Sequence, residues 1–391
     1  MRTWLRVLVA AGLVALAACD QSEEPVTPVP EAALRYVPVA VKALPGWSAD
    51  QLSEALPAWR NSCRKIINLP SAKVLGPGTG TASDWQGLCE QLGGLPEGNT
   101  EALRHFIEIN FSALQVTSKK GEAGLFTGYF EPILDAARGK SETYSEPIYA
   151  LPKDHVTVRL GNFDPTLKGK SLVGRVENGQ LVPYRERGEI DQGVIVQDAE
   201  VLYWARDLLD VFILQVQGSG IVEMPDGARQ RIGFAGHNGH AYESLGRWLI
   251  AEGELEPNRA AWEDIRNWLE TNPAKARSAL AVNPRFIFFR ELDGDGPLGA
   301  AGVPLVPERS MAVDPEHMPL NVPVWVDIEH PDGNQRLQRL MLAQDVGSAI
   351  KGVVRGDFYW GTGRAALDKA GRMKSAGSYY ILVPKTLIPV R

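Results

Sequence analysis

Cysteine, histidine and concentrated positive charge are all scarce in this sequence. It has 3 cysteines and 6 histidines among 391 residues, and its formal net charge is -6. Because no two cysteines have the Cys-x-x-Cys spacing, the chain lacks the usual pattern of a cysteine-based zinc site. An acidic chain without a basic stretch also argues against nucleic acid as a partner. These absences favour a globular protein whose function needs neither a cysteine-based zinc site nor a nucleic-acid partner.

Long apolar runs are also rare, and the one that stands out lies at the start of the chain. Residues 7–18 are apolar without interruption and follow two arginines, which is typical of a secretory signal because the run is short for a permanent membrane span. It ends in the letters LAAC, which resemble a bacterial lipobox and predict cleavage before Cys19 and lipidation of that residue. Residues 1–18 are therefore predicted to be a lipoprotein signal peptide and residues 19–45 a tether. The alternative is an ordinary signal peptide with an incidental cysteine.

Export affects the interpretation of the other two cysteines, Cys63 and Cys89. An oxidising compartment favours pairing of the two thiols that remain once Cys19 is lipidated. Closing a loop of about 27 residues would contribute roughly 3 kcal/mol in the chain-entropy model. Two buried free thiols are the alternative.

The body of the chain is predicted to be mainly β-structure with some helices. It contains 39 glycines and 27 prolines, and many short apolar runs lie between these turn-forming residues. Helical periodicity is limited to a few segments, among them 103–114, 241–249 and 262–269. The predicted strands are 125–130, 211–216, 286–289, 322–328, 340–343 and 378–383.

A turn-rich, polar stretch separates two parts of the chain with strong strand patterns. It covers residues 132–235 and is predicted to be a smaller β domain. We expect it to be inserted into a larger domain formed by residues 46–131 and 236–391.

Two aspartates, Asp345 and Asp357, lie twelve positions apart in the segment LAQDVGSAIKGVVRGDFYWGTG. Each follows a strand-like run, so both are predicted at strand ends. Apolar and aromatic neighbours would desolvate the carboxyl groups and favour their protonated forms, which suits acid catalysis. Aromatic rings beside acids also suit carbohydrate binding. The alternative is a pair of turn-capping aspartates whose carboxylates accept backbone N–H bonds.

Other motifs have simpler interpretations. His237 and His240 have a spacing that could suit a metal, but no third ligand stands out, and polar contacts at a helix start explain them better. Ser219 lies among glycines that do not match the Gly-x-Ser-x-Gly elbow of serine hydrolases, so a tight turn after a strand is favoured.

Longer motifs resemble a known family. RSMAVDPEHMPLNVPVWV (309–326), followed by the segment with the two aspartates, resembles the domain named for its three aspartates, here Asp314, Asp345 and Asp357. LFTGYFEP (125–132), LQVQGSGIV (214–222) and FAGHNGHAYESLG (234–246) resemble the rest of the membrane-bound lytic murein transglycosylase A family. The similarity covers most of the chain from about residue 100 onward. One departure is Asn321, where the family pattern has Gly, but Asn tolerates a positive φ well.

The resemblance implies a fold. The discontinuous larger domain would be a double-psi β-barrel with helices, with the three-aspartate domain at about 300–385. The inserted domain would pack beside it and leave a groove for glycan strands.

The resemblance also implies a mechanism. Lytic transglycosylases cleave the β-1,4 bond from N-acetylmuramic acid to N-acetylglucosamine in peptidoglycan and form 1,6-anhydromuramoyl ends. Asp357 would be the catalytic acid and then the base, and Asp345 would support the positive charge that develops or orient Asp357. Asp314 would have a structural role. Three further side chains would contact the glycan: Thr127, Tyr129 and Gln217. No metal or organic cofactor is implied.

Two other functions remain open from sequence. One is an inverting polysaccharide hydrolase that uses both Asp345 and Asp357, and the other is a non-catalytic cell-wall glycan-binding module. The expected partners are peptidoglycan strands, the membrane through a lipid anchor, and proteins of a wall-synthesis complex. We expect the protein on the periplasmic face of the outer membrane, although Asp20 after Cys19 resembles an inner-membrane retention signal.

Overall fold

The computed structural model describes residues 34–118, 123–257, 259–294, 296–333 and 335–388. The predicted signal peptide, Cys19 and the first part of the predicted tether lie outside these residues. The later part of the tether prediction is wrong, because Leu34–Val39 is a strand and Val41–Ala43 a 3₁₀ helix. Among the described residues, no helix combines the length and apolarity that a membrane crossing requires.

Strands outnumber helices in the described residues, as predicted. The strands are β1 Leu34–Val39, β2 Phe111–Ser118, β3 Gly124–Glu131, β4 Ile133–Ala137, β5 Glu146–Tyr149, β6 Val156–Arg159, β7 Ser171–Glu177, β8 Gln180–Pro183, β9 Val201–Ala205, β10 Ser219–Glu223, β11 Arg229–His237, β12 Ile287–Leu292, β13 Ser310–Val313, β14 Pro323–Glu329, β15 Arg336–Asp345, β16 Arg355–Thr362 and β17 Lys374–Pro384. The helices are α1 Leu56–Ile67, α2 Ala82–Gly93, α3 Thr100–Asn110, α4 Arg187–Asp191, α5 Leu208–Gln217, α6 Leu245–Ala251, α7 Trp262–Thr271, α8 Ala276–Leu280 and α9 Arg364–Arg372.

The larger sheet contains a closed ring of six strands. Its order is β1-β2-β17-β14-β15-β13-β16-β3, and a further pairing joins β17 to β3. β17 can pair with three strands because residues 374–377 pair with β3, while later residues pair with β14 and β2. Gly377 stands where these pairings meet, and an added Cβ there would lie 2.5 Å from the carbonyl oxygen of Asp327. Only glycine therefore permits this close approach of strands.

The ring and the helices α1–α3 share one hydrophobic core. β14 is buried on both faces over most of its length, because one face fills the ring and the other packs outward. Trp325 shows the outward packing, since its ring lies 5.1 Å from that of Trp47 and its indole N–H donates to the carbonyl of Pro45. Strands buried on both faces have nearly continuous apolar sequences, which explains why the 322–328 prediction was straightforward.

A disulfide joins α1 to α2. Cys63 and Cys89 are bonded, with their Cα atoms 5.1 Å apart and both side chains buried. The pairing predicted from export is therefore present in the structure.

The second sheet has the order β12-β11-β10-β4-β9-β5, and β6–β8 form a separate three-stranded sheet. β12 lies in the segment 236–391 that was assigned to the larger domain, but it pairs with β11 through six residue pairs. The predicted end of the inserted domain at residue 235 is therefore too early. A long connection containing α6–α8 separates β11 from β12, so the sequence gives no local sign that they pair.

The predicted strand 211–216 is wrong, because these residues belong to α5. Asp207 caps this helix by accepting a hydrogen bond from the amide of Asp210, 2.9 Å away. Leu209 and Phe212 pack into the core of the larger sheet, whereas Leu214 packs into the core of the second sheet. A helix between two cores is apolar on several sides and loses the one-sided periodicity that identifies a surface helix.

Candidate active site

Four side chains form a row across neighbouring strands of the ring. Thr127 on β3 pairs with Asp357 on β16, which pairs with Ala312 on β13, which in turn pairs with Asp345 on β15. Directly paired residues project to the same face of a sheet. All four residues line one cavity of about 370 Å³. The small side chain of Ala312 leaves space between the two carboxyl groups.

Asp345 joins this row through a β-bulge in β15. Ala343 pairs with Met311, but the next pair is Asp345 with Ala312, so Gln344 is an extra residue. In a regular ladder Gln344 would lie opposite Ala312, and Asp345 would point to the other face of the sheet. The bulge therefore directs the carboxyl group of Asp345 into the cavity.

The buried side chain of Gln344 anchors the bulge. Its amide nitrogen donates to the carbonyl of Ala58 at 2.7 Å and to the hydroxyl of Ser62 at 2.8 Å. Its oxygen accepts from the hydroxyl of Ser310 at 2.6 Å. Since Ala58 and Ser62 lie on α1, this helix holds the strand that carries Asp345.

Asp357 is the third residue of β16 rather than a residue at a strand end, and Val353 and Val354 are not in a strand. The hydroxyl of Thr127 donates to Oδ1 of Asp357 at 2.5 Å, and Nη2 of Arg355 donates to the Thr127 oxygen at 2.9 Å. Burial raises the pKa of Asp357, although the Thr127 hydrogen bond and the charge of Arg355 act in the opposite direction. The acid is therefore biased towards its protonated form.

Asp345 is the last residue of β15, as predicted, and both of its oxygens have partners. Oδ1 accepts from the amides of Ala300 and Val346, each at 2.9 Å, and Oδ2 accepts from the hydroxyl of Tyr129 at 3.1 Å. Burial raises the pKa of Asp345 to about 6 despite these hydrogen bonds, which favour the ionised form. Asp345 can thus be ionised near neutral pH while remaining largely desolvated.

The predicted glycan contacts lie around the same cavity. Thr127, Tyr129 and Gln217 all line it with the two acids. The side-chain oxygen of Gln217 accepts from the amide of Phe130 at 3.1 Å, which ties the end of α5 to β3. Cavities of about 620 and 820 Å³ share lining residues with the central one, so the site is part of an extended groove.

Asp314 does not line any of these three cavities. It accepts from the ammonium group of Lys351 at 3.1 Å and from the amide of Gly352 at 2.9 Å. Burial alone would raise the pKa of Asp314, but these hydrogen bonds lower it overall. Its contacts join the end of β13 to the loop between β15 and β16, which suits the structural role predicted for it.

Histidines show no metal-binding arrangement in the described part of the chain, where no group of three or more His, Cys, Asp or Glu side chains could hold a metal ion. His237 ends β11 and His240 follows in a loop, so neither begins a helix. Ser219 opens β10 directly after α5, and Gly218 between them has a φ of 84°. The turn predicted at Ser219 therefore follows a helix, not a strand.

Sequence reasoning missed Gln344, Ala312 and Arg355. The available signal for Gln344 was a lone polar residue at the end of the apolar run Leu340–Ala343, directly before an acid. For Ala312 the sequence carries no such signal, because its importance arises from strand pairings across the ring. Arg355 lies two residues before Asp357, which suggests a charge partner for that acid but not the hydrogen bond that Arg355 donates to Thr127.

Comparison with known proteins agrees with this architecture. Residues 125–290 match the family profile described as the MltA specific insert domain, and residues 309–383 match the 3D domain. The membrane-bound lytic murein transglycosylase A of Escherichia coli K12 is 33% identical over 264 residues, which are 66% of this chain and 65% of the E. coli protein. The chain thus matches just under two thirds of that relative's length.

Solved structures extend the similarity over almost the whole chain. The crystal structure of MltA from Neisseria gonorrhoeae is 32% identical, covers 91% of this chain and 94% of its own, and has a TM-score of 0.78. The structure of E. coli MltA with bound chitohexaose is 28% identical, with a TM-score of 0.62 and coverage of 84% and 90%. On this evidence the chain belongs to the membrane-bound lytic murein transglycosylase A family.

Proposed function

We propose that this protein is a peptidoglycan lytic transglycosylase that acts in cell-wall turnover and remodelling. It cleaves the β-1,4 bond from N-acetylmuramic acid to N-acetylglucosamine and leaves a 1,6-anhydromuramoyl end. Support comes from the family, from the groove, and from a relative whose crystal structure contains a bound chitin oligosaccharide. The different hydrogen bonding of the two acids is the observation that carries the proposal.

Asp357 is suited to handle a proton. Only its Oδ1 has a hydrogen-bond partner among the described residues, so Oδ2 is available to a substrate. In the first step Oδ2 gives its proton to the glycosidic oxygen while the bond from that oxygen to C1 of the muramoyl residue breaks. In the second step the C6 hydroxyl oxygen of the same residue bonds to C1, and its proton returns to Asp357. No water is consumed, and the acid is regenerated.

Asp345 is suited to stabilise charge. Its oxygens already accept three hydrogen bonds, from Ala300, Val346 and Tyr129, so it is poorly placed to take a proton from water. An inverting hydrolase would need a second carboxylate that does so. As an ionised, desolvated group across Ala312 from Asp357, Asp345 instead stabilises the oxocarbenium-like charge on C1.

Analysis of products tests this proposal. Digestion of purified sacculi, followed by mass spectrometry, should give muropeptides whose muramoyl ends are one water lighter than reducing ends. Reducing ends would indicate a hydrolase. Binding to sacculi without release of fragments would indicate a glycan-binding module.

We further propose that the mature protein is held by a lipid on Cys19, at the periplasmic face of the outer membrane. The LAAC motif supports this, and the relatives are named membrane-bound. Cys19→Ser should move the protein into the soluble fraction without loss of activity on soluble glycan strands, because acyl chains provide the attachment. A processed variant that remains in the membrane pellet after a salt wash would contradict the lipid anchor.

Density-gradient separation would identify the membrane that holds the protein. Co-migration of the unmodified protein with inner-membrane markers alone would contradict the outer-membrane assignment.

A further inference from the structure

The smaller of the two neighbouring cavities, which Asp345 also lines, has an unusual charge. We call it the Arg285 cavity. It measures about 620 Å³, and its lining includes Arg187, Arg285, Arg290 and Lys351 but only one acid, Asp345. Lys351 is paired with Asp314. The cavity therefore has a clear excess of positive charge, although the chain as a whole is acidic.

Arg285 contributes to this excess. Nη1 of Arg285 donates to the carbonyl of His240 at 3.0 Å, and no carboxylate of the described residues forms a salt bridge with it. Burial lowers the pKa of Arg285. A half-buried guanidinium without an acidic partner is well suited to bind a carboxylate from a ligand.

Two other side chains in the lining of the Arg285 cavity, His237 and Phe234, can contact a bound substrate. His237 accepts a hydrogen bond from the amide of Gly239 at Nδ1, 2.9 Å away, so its proton is on Nε2, which can donate. Burial, the charge of Arg285 and His155 lower the pKa of His237 to about 4, so the ring is neutral at neutral pH. Phe234, which is 48% exposed, adds an aromatic face to the same lining.

The Arg285 cavity is continuous with the catalytic site. Asp345, Gln217 and Tyr242 line both this cavity and the central one. A glycan strand whose scissile bond lies at Asp357 can therefore extend into it. Every second sugar of peptidoglycan carries a lactyl substituent that ends in a carboxylate or in a peptide with carboxylates, whereas chitin oligosaccharides carry neither.

We propose that the Arg285 cavity binds a carboxylate carried on the lactyl substituent of a muramoyl residue. The carboxylate is either that of the free lactyl group or one of the attached peptide. This inference rests on the proposed function, because it assumes that peptidoglycan occupies the groove. Arg285 and Arg290 would thus allow the protein to distinguish peptidoglycan from uncharged glycans with the same sugar backbone.

Calorimetric binding to the Asp357→Asn protein tests the inference without catalysis. Three hexasaccharides serve as probes: chitohexaose, a murein strand freed of peptide, and a murein strand with peptides. Arg285→Gln in this background should weaken binding of a carboxylate-bearing strand about tenfold or more, the usual effect of losing a hydrogen bond to a charged group. Binding of chitohexaose should change less than twofold. A loss confined to the peptide-free strand identifies the lactyl carboxylate, and a loss confined to the other strand identifies the peptide.

Two further variants control the experiment. Arg290→Gln, at an exposed position of the same lining, should show the same selectivity if Arg285→Gln proves unstable. Arg229→Gln, on β11 but outside the lining, should change none of the three affinities. Equal losses for chitohexaose and murein, or no loss for murein in either cavity variant, would overturn the inference. Neither result would alter the anhydro products of the unmodified protein, so the proposed function would be judged separately.

Discussion

Replacing Asp357 with Asn should lower turnover on peptidoglycan by at least about 10²–10⁴-fold, the usual contribution of general acid–base catalysis. The amide cannot donate an acidic proton to the glycosidic oxygen and cannot recover one from the C6 hydroxyl. Because Asn has nearly the same size, glycan binding should persist. The measurement is the rate of anhydromuropeptide release from sacculi, with calorimetry for binding.

The matched control is Asp345→Asn, on the other side of Ala312. It removes a charge but not the proton donor, so measurable activity should remain. Circular dichroism spectra and thermal unfolding curves check that both variants are folded. At neutral pH the Asp357→Asn protein should be at least as stable as the original, because a carboxyl group whose folded pKa is raised costs stability once it ionises. Anhydro products at the original rate from Asp357→Asn would show that another group is the acid.

The two acids also predict the pH dependence of turnover. Asp345 stabilises the developing positive charge best when it is ionised, so activity should rise as the pH increases through about 6, the value to which burial raises its pKa. Asp357 must begin protonated, so activity should fall as the pH rises through its raised pKa. The apparent pKa values at the low-pH and high-pH flanks of this pH–rate profile belong to the coupled pair of acids rather than to each residue alone. In Asp345→Asn the low-pH flank should disappear, and its persistence would contradict the role of Asp345.

Replacing Asp50 with Ala should lower the free energy of unfolding by about 3–5 kcal/mol, the range for a buried ion pair that loses one partner. Asp50 accepts two hydrogen bonds from Arg309, at 2.8 and 2.9 Å, and the two side chains are only 4% and 2% exposed. It also accepts from the amide of Leu340 at 2.9 Å. The substitution would leave the guanidinium of Arg309 charged, buried and without its main partner. Urea unfolding followed by tryptophan fluorescence provides the measurement.

Glu54→Ala is the matched control for this prediction. Glu54 also pairs with Arg309, at 2.7 Å, but its side chain is 61% exposed. Solvent screening keeps such a pair to about 1 kcal/mol or less. If Asp50→Ala and Glu54→Ala cost the same small amount, burial of the Arg309–Asp50 pair contributes little to stability.

Local sequence patterns were sufficient where a strand is buried and continuous. The predictions at 125–130, 322–328, 340–343 and 378–383 all correspond to strands of the larger sheet. Asn321 follows the same logic, since its φ of 69° agrees with the positive φ expected where the family pattern has Gly. In these cases the residue type and its immediate neighbours determine the local structure.

Predictions failed where the outcome depends on distant partners. The run 211–216 is helical because it lies between two cores, and β12 joins the second sheet because β11 is available to pair with it. The bulge at Gln344 depends on acceptors and donors in α1 and β13. No window of local sequence contains this information.

The closed ring has a consequence for the order in which the protein folds. Thr127 and Asp357, which share a hydrogen bond, are 230 residues apart in sequence, and the ring cannot close until β17 has paired with both β14 and β3. Contacts of such long range form slowly, because the entropy of closing the loop is lost before the contacts stabilise the fold. A chain still emerging from a ribosome therefore lacks an assembled acid site. The last strands to be made complete the proposed catalytic centre, so the proposed activity would begin only after the whole chain has been made and folded.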